Sequence, residues 1–479
     1  MSEQSRRYKE PKESVICFEE LGVEEYMWDW EGKHADEAVI DKLFSEYYDY
    51  FRKHRLGKEK FLTFRLPNVW QEKGYSLIRA LMVVLTSEDF ARDLGFGARP
   101  LFEVILPMTE RAQQLMYIQK SFQELARFKM KVFAHRKRKN TDYIELIPLI
   151  EGVEDQVHIR KLLSEYVKLH RKFFHREPAY LRPFLARSDP ALLSGFVSNV
   201  LANKVALSEI YRFEKERGVP MYPIIGAGSL IFRGGLSPAR VRTFISEYGG
   251  VRTVTVQSAF RYDYDKGHVK KALQYLHREV PKSPVQRIAK EDMAALQRVI
   301  KIFSRSYQST LGTLIKDMEP FFRAVPKRRE RRQHIGLLAY GREMGKSALP
   351  RAISFAAAFY SIGVPPEFIG LGRALASLKE REKNLLLKYY KHFESDVKEA
   401  GRFLNHDNIA LLTQNNRAWS NVTKDIELVE KSLRIALGPK STDELLHRNL
   451  TSQLFLQRKN AEAVRRLIAE TGKLRRSLG

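Results

Sequence analysis

Apolar positions in the first two-thirds of the chain gather into seven short runs. They are EYMWDWEGK (25–33), FLTFRLPN (61–68), LFEVILPM (101–108), YIELIPLIE (143–151), LRPFLARSDPA (181–191), VPMYPIIGAGS (219–229) and VRTVTVQSAF (251–260). Between them lie stretches with helical periodicity, such as EAVIDKLFSEYYDYF (37–51) and SGFVSNVLANKVALSEIYRFEKE (194–216). The runs recur at roughly 30 to 40 residues, the length of a βα unit. Each run is apolar and turns polar or charged at its C-terminal end, where a parallel barrel builds its active site. The pattern predicts an α/β fold of the TIM type, although seven runs are one short of a closed barrel.

From about 285 the pattern becomes helical. EDMAALQRVIKIFSRSYQSTLGTLIKDMEPFF (291–322) reads as one long helix, followed by a basic stretch and the glycine-bearing segment IGLLAYGREMGKSALPRA (335–352). The apolar helix ISFAAAFYSIGV then stops at Pro365 and Pro366. The rest is helical, with LKEREKNLLLKYYKHFESDVKEAGRFL its clearest piece. We expect a barrel over 1–285 and a mostly helical extension over 286–479 that packs on it and contributes active-site loops.

Composition narrows the class. With 44% hydrophobic and 29% charged residues, the chain is globular. It has no apolar run of about 18 residues, the length a transmembrane helix needs. Its first residues, MSEQSRRYKEPKES, lack the apolar stretch of a secretory signal. The single cysteine, Cys17, excludes an intrachain disulfide framework. These features suit the cytoplasm and no membrane contact. Lysine and arginine (83) outnumber acids (57), giving a net charge of +26. The basic runs 127–140 and 326–334 come without zinc-finger spacing, RNP-like aromatics or basic-leucine heptads. A solvated basic surface or the attraction of small anions is expected, not nucleic acid.

Two acids sit at run ends, Glu151 in IPLIE and Asp189 in ARSDPA. Carboxylates from neighbouring strands suit Mg²⁺ or Mn²⁺; the plainer reading makes each of them a helix cap. Arg65, Arg187 and Arg233 also lie at run ends, and Arg342 lies on a later glycine-bearing loop. Guanidinium forks grip phosphate and carboxylate bidentately, so the set suggests a substrate with several anionic groups. In GAGSLIFRGG (226–235), Gly228, Ser229 and Gly234 allow backbone N–H groups to approach an oxyanion.

In order, MWDWEGK, FRLPN, FEVILPM, IPLIE, ARSDPA, PIIGAGSLIFRGG, VQSAFRYD, HIGLLAYGREMG, LPRAISF and the C-terminal RRSLG resemble archaeal-type phosphoenolpyruvate carboxylase from about residue 15 to Gly479. The resemblance implies a barrel of the phosphoenolpyruvate/pyruvate superfamily that joins phosphoenolpyruvate and bicarbonate into oxaloacetate and phosphate. It implies Glu151 and Asp189 as ligands of Mg²⁺ or Mn²⁺, and Arg65 and Arg342 on the substrate phosphate. Arg233 would position bicarbonate and carboxyphosphate, with Arg187, Gln257 and Arg328 in supporting roles, and Gly479 would tuck toward the site. A homotetramer is also implied. Larger enzymes of this kind carry a further arginine where this chain has Ala227.

Two other readings stay open: a citrate-lyase-like C–C lyase of the same barrel group, and a basic nucleic-acid-binding protein. The family's N-terminal strand and its histidine motif do not appear before Val15. We expect them upstream of Met1, unless HIGLLAYG (334–341) fills the gap or the site is degenerate.

Overall fold

The computed structural model describes residues 10–32, 35–71, 75–132, 142–326, 343–344 and 347–479. Seven strands form one sheet: β1 (Glu25–Asp29), β2 (Phe61–Arg65), β3 (Glu103–Leu106), β4 (Glu145–Ile150), β5 (Phe184–Ala186), β6 (Ile224–Ala227) and β7 (Thr253–Val256). Every strand pairs in parallel with its neighbours in sequence, in the order β1 to β7. The seven apolar runs are therefore the seven strands, each shortened because its polar end leaves the sheet.

The helices of the first part are α1 (Glu10–Glu19), α2 (Val39–Glu46), α3 (Tyr48–Lys53), α4 (Tyr75–Asp93), α5 (Ala112–Val132), α6 (Val153–Val157), α7 (Ile159–Phe174), α8 (Ser188–Ser194), α9 (Phe196–Arg217), α10 (Val241–Glu247), α11 (Ser258–Tyr262) and α12 (Lys266–Glu279). Then follow α13 (Lys290–Ala324), the short strands β8 (Glu343–Met344) and β9 (Ser347–Ala348), α14 (Ala352–Ser361), α15 (Leu371–Ser377), α16 (Glu380–Tyr389), α17 (Phe393–Gly401), α18 (His406–Asn415), α19 (Ser420–Leu433), α20 (Thr442–Leu456) and α21 (Ala461–Leu474).

Alternation along the strands explains the curl of the sheet. Ile105, Ile147, Leu149, Phe184, Ala186 and Ile224 form a small core of strand residues alone. Their sequence neighbours Val104, Leu146, Ile150 and Leu185 belong to the large core shared with the helices. Opposite faces of each strand thus meet different partners, as in a sheet curled around its own side chains. Arg182 ties the curl together. Its Nη2 lies 2.7 Å from Glu25 of β1 and 3.1 Å from Thr253 of β7, and its Nη1 donates to Glu103 of β3. The first and last strands therefore face one guanidinium, although no backbone ladder joins them among the described residues. Outside, α1 links to the segment after β7: Arg261 pairs with Glu13 at 3.1 Å and donates to the Cys17 sulfur at 3.0 Å.

Two helical patterns break where the sequence showed none. Residues 37–51 split at Tyr47 into α2 and α3. The pattern from 380 splits between α16 and α17, where the His392 N–H leaves helical bonding for the Glu247 carboxylate at 3.0 Å. The helix α9 is buried on nearly all sides because it packs against α6, α7 and α8 and against the long α13. No single helix is long and apolar enough to cross a membrane among the described residues. The segment 334–341, considered as a substitute strand, lies outside the described residues.

Candidate active site

The strand C-termini deliver the candidate residues to one end of the sheet. Glu151 follows β4 directly and is buried. Its Oε2 accepts the Met108 N–H at 3.0 Å, in the turn after β3 where Met108 adopts a left-handed φ of 50°. Asp189 follows β5 in the first turn of α8. The helix-cap reading does not fit it: the N-cap residue is Arg187, with no side-chain capping bond. Gln156 fixes the spacing of the two strand ends, donating to the carbonyls of Ile150 at 3.1 Å and Ala186 at 3.0 Å. Asn203 and Asn199 in turn donate to the Gln156 oxygen at 2.7 and 3.1 Å. These three amides were invisible to motif reading, because their role depends on α9 crossing beneath two strand ends.

Among the described residues, no group of three or more His, Cys, Asp or Glu side chains could hold a metal. Glu151 and Asp189 offer hard carboxylate oxygens from the ends of neighbouring strands. That donor set fits Mg²⁺ or Mn²⁺, whose remaining positions go to water and substrate oxygens.

Arg65 ends β2, beside Asp29 in the parallel register. It pairs bidentately with Asp29 and places Nη1 2.8 Å from Glu31. Both carboxylates come from MWDWEGK, a motif to which sequence reasoning gave no residue roles.

After β6 the chain folds into a tight loop. The Gly228 N–H donates to the Arg233 carbonyl at 2.8 Å, and the Gly234 N–H to the Ile231 carbonyl at 2.9 Å. Both N–H groups therefore bond to carbonyls inside the loop. The glycines also allow close packing. A Cβ on Gly228 would lie 3.0 Å from Arg233 Cζ, and one on Gly234, at φ +124°, would lie 2.7 Å from Ala227 Cβ. The Ser229 hydroxyl is buried without a partner among the described residues.

Packing turns Arg233 into a fixed fork. It is 5% exposed; Nε donates to Ser188 at 3.1 Å and Nη2 to Gln257 at 2.6 Å. Nη1 donates to the carbonyl of Gly479. Residues from the segments after β6, β5 and β7 and from the C-terminal tail therefore meet at one guanidinium. Arg187 behaves differently. It is 1% exposed and passes beneath Gly234, with its guanidinium 5.7 Å from the Tyr248 ring centre. Its Nε and Nη1 have no partner among the described residues. Arg328 and Arg342 lie outside the described residues. Arg351, in LPRAISF, was given no role from sequence. It stands at the N-cap of α14, the helix whose Ile353 carbonyl abuts Gly479.

Comparison with known proteins places the chain in a family. The family profile described as phosphoenolpyruvate carboxylase matches residues 2–479, so the match begins earlier than the motif reading, which started near Val15. The phosphoenolpyruvate carboxylase of Leuconostoc mesenteroides is 46% identical over 98% of this chain and 94% of its own length. Those of Metallosphaera sedula (35% identical, 98% and 93% covered) and Methanospirillum hungatei (36% identical, 83% and 82% covered) are also similar. With the profile spanning the whole fold and archaeal relatives matching nearly end to end, the chain belongs to the archaeal-type phosphoenolpyruvate carboxylase family.

Proposed function

We propose that this chain carboxylates phosphoenolpyruvate with bicarbonate, yielding oxaloacetate and phosphate. The observation that carries the reading is near-full-length similarity to carboxylases at 46% and 35% identity. A bicarbonate oxygen attacks phosphorus and the bond from phosphorus to the enol oxygen breaks, leaving carboxyphosphate and the enolate. Carboxyphosphate releases CO₂ and phosphate, and the enolate carbon takes up the CO₂.

Arg65 and Arg342 bind and neutralise the substrate phosphate, and Arg351 is a third candidate for that task. Arg233, oriented by Gln257 and Ser188, holds bicarbonate and then carboxyphosphate against the reacting carbon. Guanidinium groups suit the work because they are too weakly acidic to protonate the enolate. The closed loop and the C-terminal tail exclude water, which would divert the enolate to pyruvate. A divalent cation held by Glu151 and Asp189 would supply the positive charge that favours the enolate.

The curled seven-stranded sheet is read as part of a closed (β/α) barrel spanning 1–285, with 286–479 as its helical extension. A cytoplasmic homotetramer is proposed from the family. Bicarbonate-dependent release of phosphate, coupled to oxaloacetate, tests the activity. Cleavage of citrate-like substrates without phosphate release would replace it with a lyase.

A further inference from the structure

Beneath the Arg233 cluster runs a buried polar circuit that the reaction itself does not require. Glu367, 1% exposed, accepts the Phe232 N–H at 2.7 Å through Oε1. The same oxygen accepts the Tyr360 hydroxyl at 2.7 Å. The Tyr360 ring lies 5.5 Å from the Arg475 guanidinium. Arg475 donates to the Leu478 carbonyl at 3.0 Å, and its Nη1 lies 2.7 Å from His447 Nε2. Gly479, the next residue, receives the bond from Arg233, and Arg233 follows Phe232 in the chain. The path from the glycine loop through Glu367, Tyr360, Arg475 and the C-terminal tail thus returns to the glycine loop.

We propose that Glu367 is a positioning residue for carboxylation. By holding the Phe232 N–H on one side and the Tyr360–Arg475 anchor of the tail on the other, it sets Arg233 and Gly479 relative to each other. Three features support this. The bond crosses 135 positions of sequence to reach the residue beside Arg233. The same oxygen also accepts the Tyr360 hydroxyl, so one carboxylate serves both the glycine loop and α14. The second carboxyl oxygen, Oε2, is buried without a partner among the described residues, a cost in desolvation that packing alone does not justify. Burial also pushes the Glu367 carboxyl up to about 7, against the bonds from Tyr360 and the backbone, while Asp396 adds in the same direction.

The inference rests on the carboxylation reading, and the product ratio tests it. A loosened Arg233 lets the enolate be protonated, so misplacement appears as pyruvate and not only as lost rate. Glu367→Leu removes the shared acceptor and is expected to raise the pyruvate-to-oxaloacetate ratio about tenfold, as small displacements of reacting groups do. KM for phosphoenolpyruvate should change far less. Glu367→Gln keeps an acceptor oxygen and should restore most of the parental ratio. Tyr166→Leu, a buried change in α7 whose native hydroxyl donates to Gln119, should lower the melting temperature and leave the ratio alone. An unchanged ratio in folded Glu367→Leu, or an equal shift in Tyr166→Leu, would overturn the proposal. If Glu367→Leu does not fold, Tyr360→Phe decides, because it cuts the circuit at the hydroxyl alone; a parental ratio there also overturns it. If the parent forms no oxaloacetate, the carboxylation reading fails first and separately.

Discussion

Arg65 lies edge-on against Asp29, with Nε and Nη2 each 2.9 Å from a carboxylate oxygen across the register of β1 and β2. Its remaining nitrogen sits 2.8 Å from Glu31. Two carboxylates on one guanidinium orient it rigidly and also compete with any phosphate it must bind. Lysine cannot span this geometry, because an ammonium is a point charge without a planar fork. Arg65→Lys is therefore expected to raise KM for phosphoenolpyruvate about tenfold or more, with a smaller change in kcat. Steady-state kinetics at saturating bicarbonate check this, and an unaltered KM would remove Arg65 from the phosphate site.

The proposed cation ligands give a sharper test. Glu151→Gln and Asp189→Asn preserve shape but remove charge, and each should lower turnover by about a hundredfold or more. Circular dichroism should show an intact fold, and the divalent-ion concentration for half-activity should rise. Near-parental turnover at modest Mg²⁺ in either variant would exclude that residue as a ligand.

How far these residues were legible depends on what each needs. Strand ends are visible in sequence, since the apolar runs turn polar at Glu151 and near Asp189, but the sequence did not separate a ligand role from a helix cap there. Arg233, Gln257 and Gly479 were found through motif order, and packing then brings them together. Gln156, Glu367 and Arg475 were missed because a polar residue in or beside a helical stretch looks like a surface residue in sequence. Their partners lie far along the chain: Asn203 for Gln156, Phe232 for Glu367 and His447 for Arg475. Only the tertiary fold brings them together. For Gly228 and Gly234, composition shows that a backbone can approach a ligand, but not that their N–H groups bond to carbonyls of the same loop.

Arg233 separates the two halves of the reaction. It is held by Gln257 at 2.6 Å and Ser188 at 3.1 Å, and the proposed role for it is to hold bicarbonate, not the phosphate of the substrate. Arg233→Ser should lose oxaloacetate formation more than phosphoenolpyruvate binding, with residual turnover diverted to pyruvate. Assaying both products in one reaction checks it. An equal loss of both, with a much higher KM for phosphoenolpyruvate, would make Arg233 a phosphate clamp.

At the opposite end of the sheet, Arg182 links Glu25, Glu103 and Thr253. Arg182→Met fills similar volume but leaves two partly buried carboxylates without their cation. Breaking a buried pair in this way costs about 3–5 kcal/mol. The urea midpoint should fall accordingly, while KM values in the remaining folded protein stay near parental. A midpoint within error of the parent would show that β1 and β7 are held together by something else.

The same interior predicts an unusual pH slope. Burial pushes Glu145 up to about 7, with Glu103 adding to the rise and the Tyr143 hydroxyl at 3.1 Å opposing it. The folded chain therefore keeps a proton that the unfolded chain releases near its ordinary carboxylate value. Because the folded state binds more protons between about pH 4.5 and 7, stability from this group is full below that window and is lost as pH rises through it. Across the window the change is about 2 kcal/mol, after discounting for partial solvation. Glu145→Gln mimics the protonated carboxyl, so it should flatten the slope: close to the parent at pH 5, and more stable than the parent at pH 8. Urea unfolding at the two pH values decides. Parallel parent and variant curves would mean that Glu145 is ionised throughout, with Arg176 and Arg99 carrying its charge.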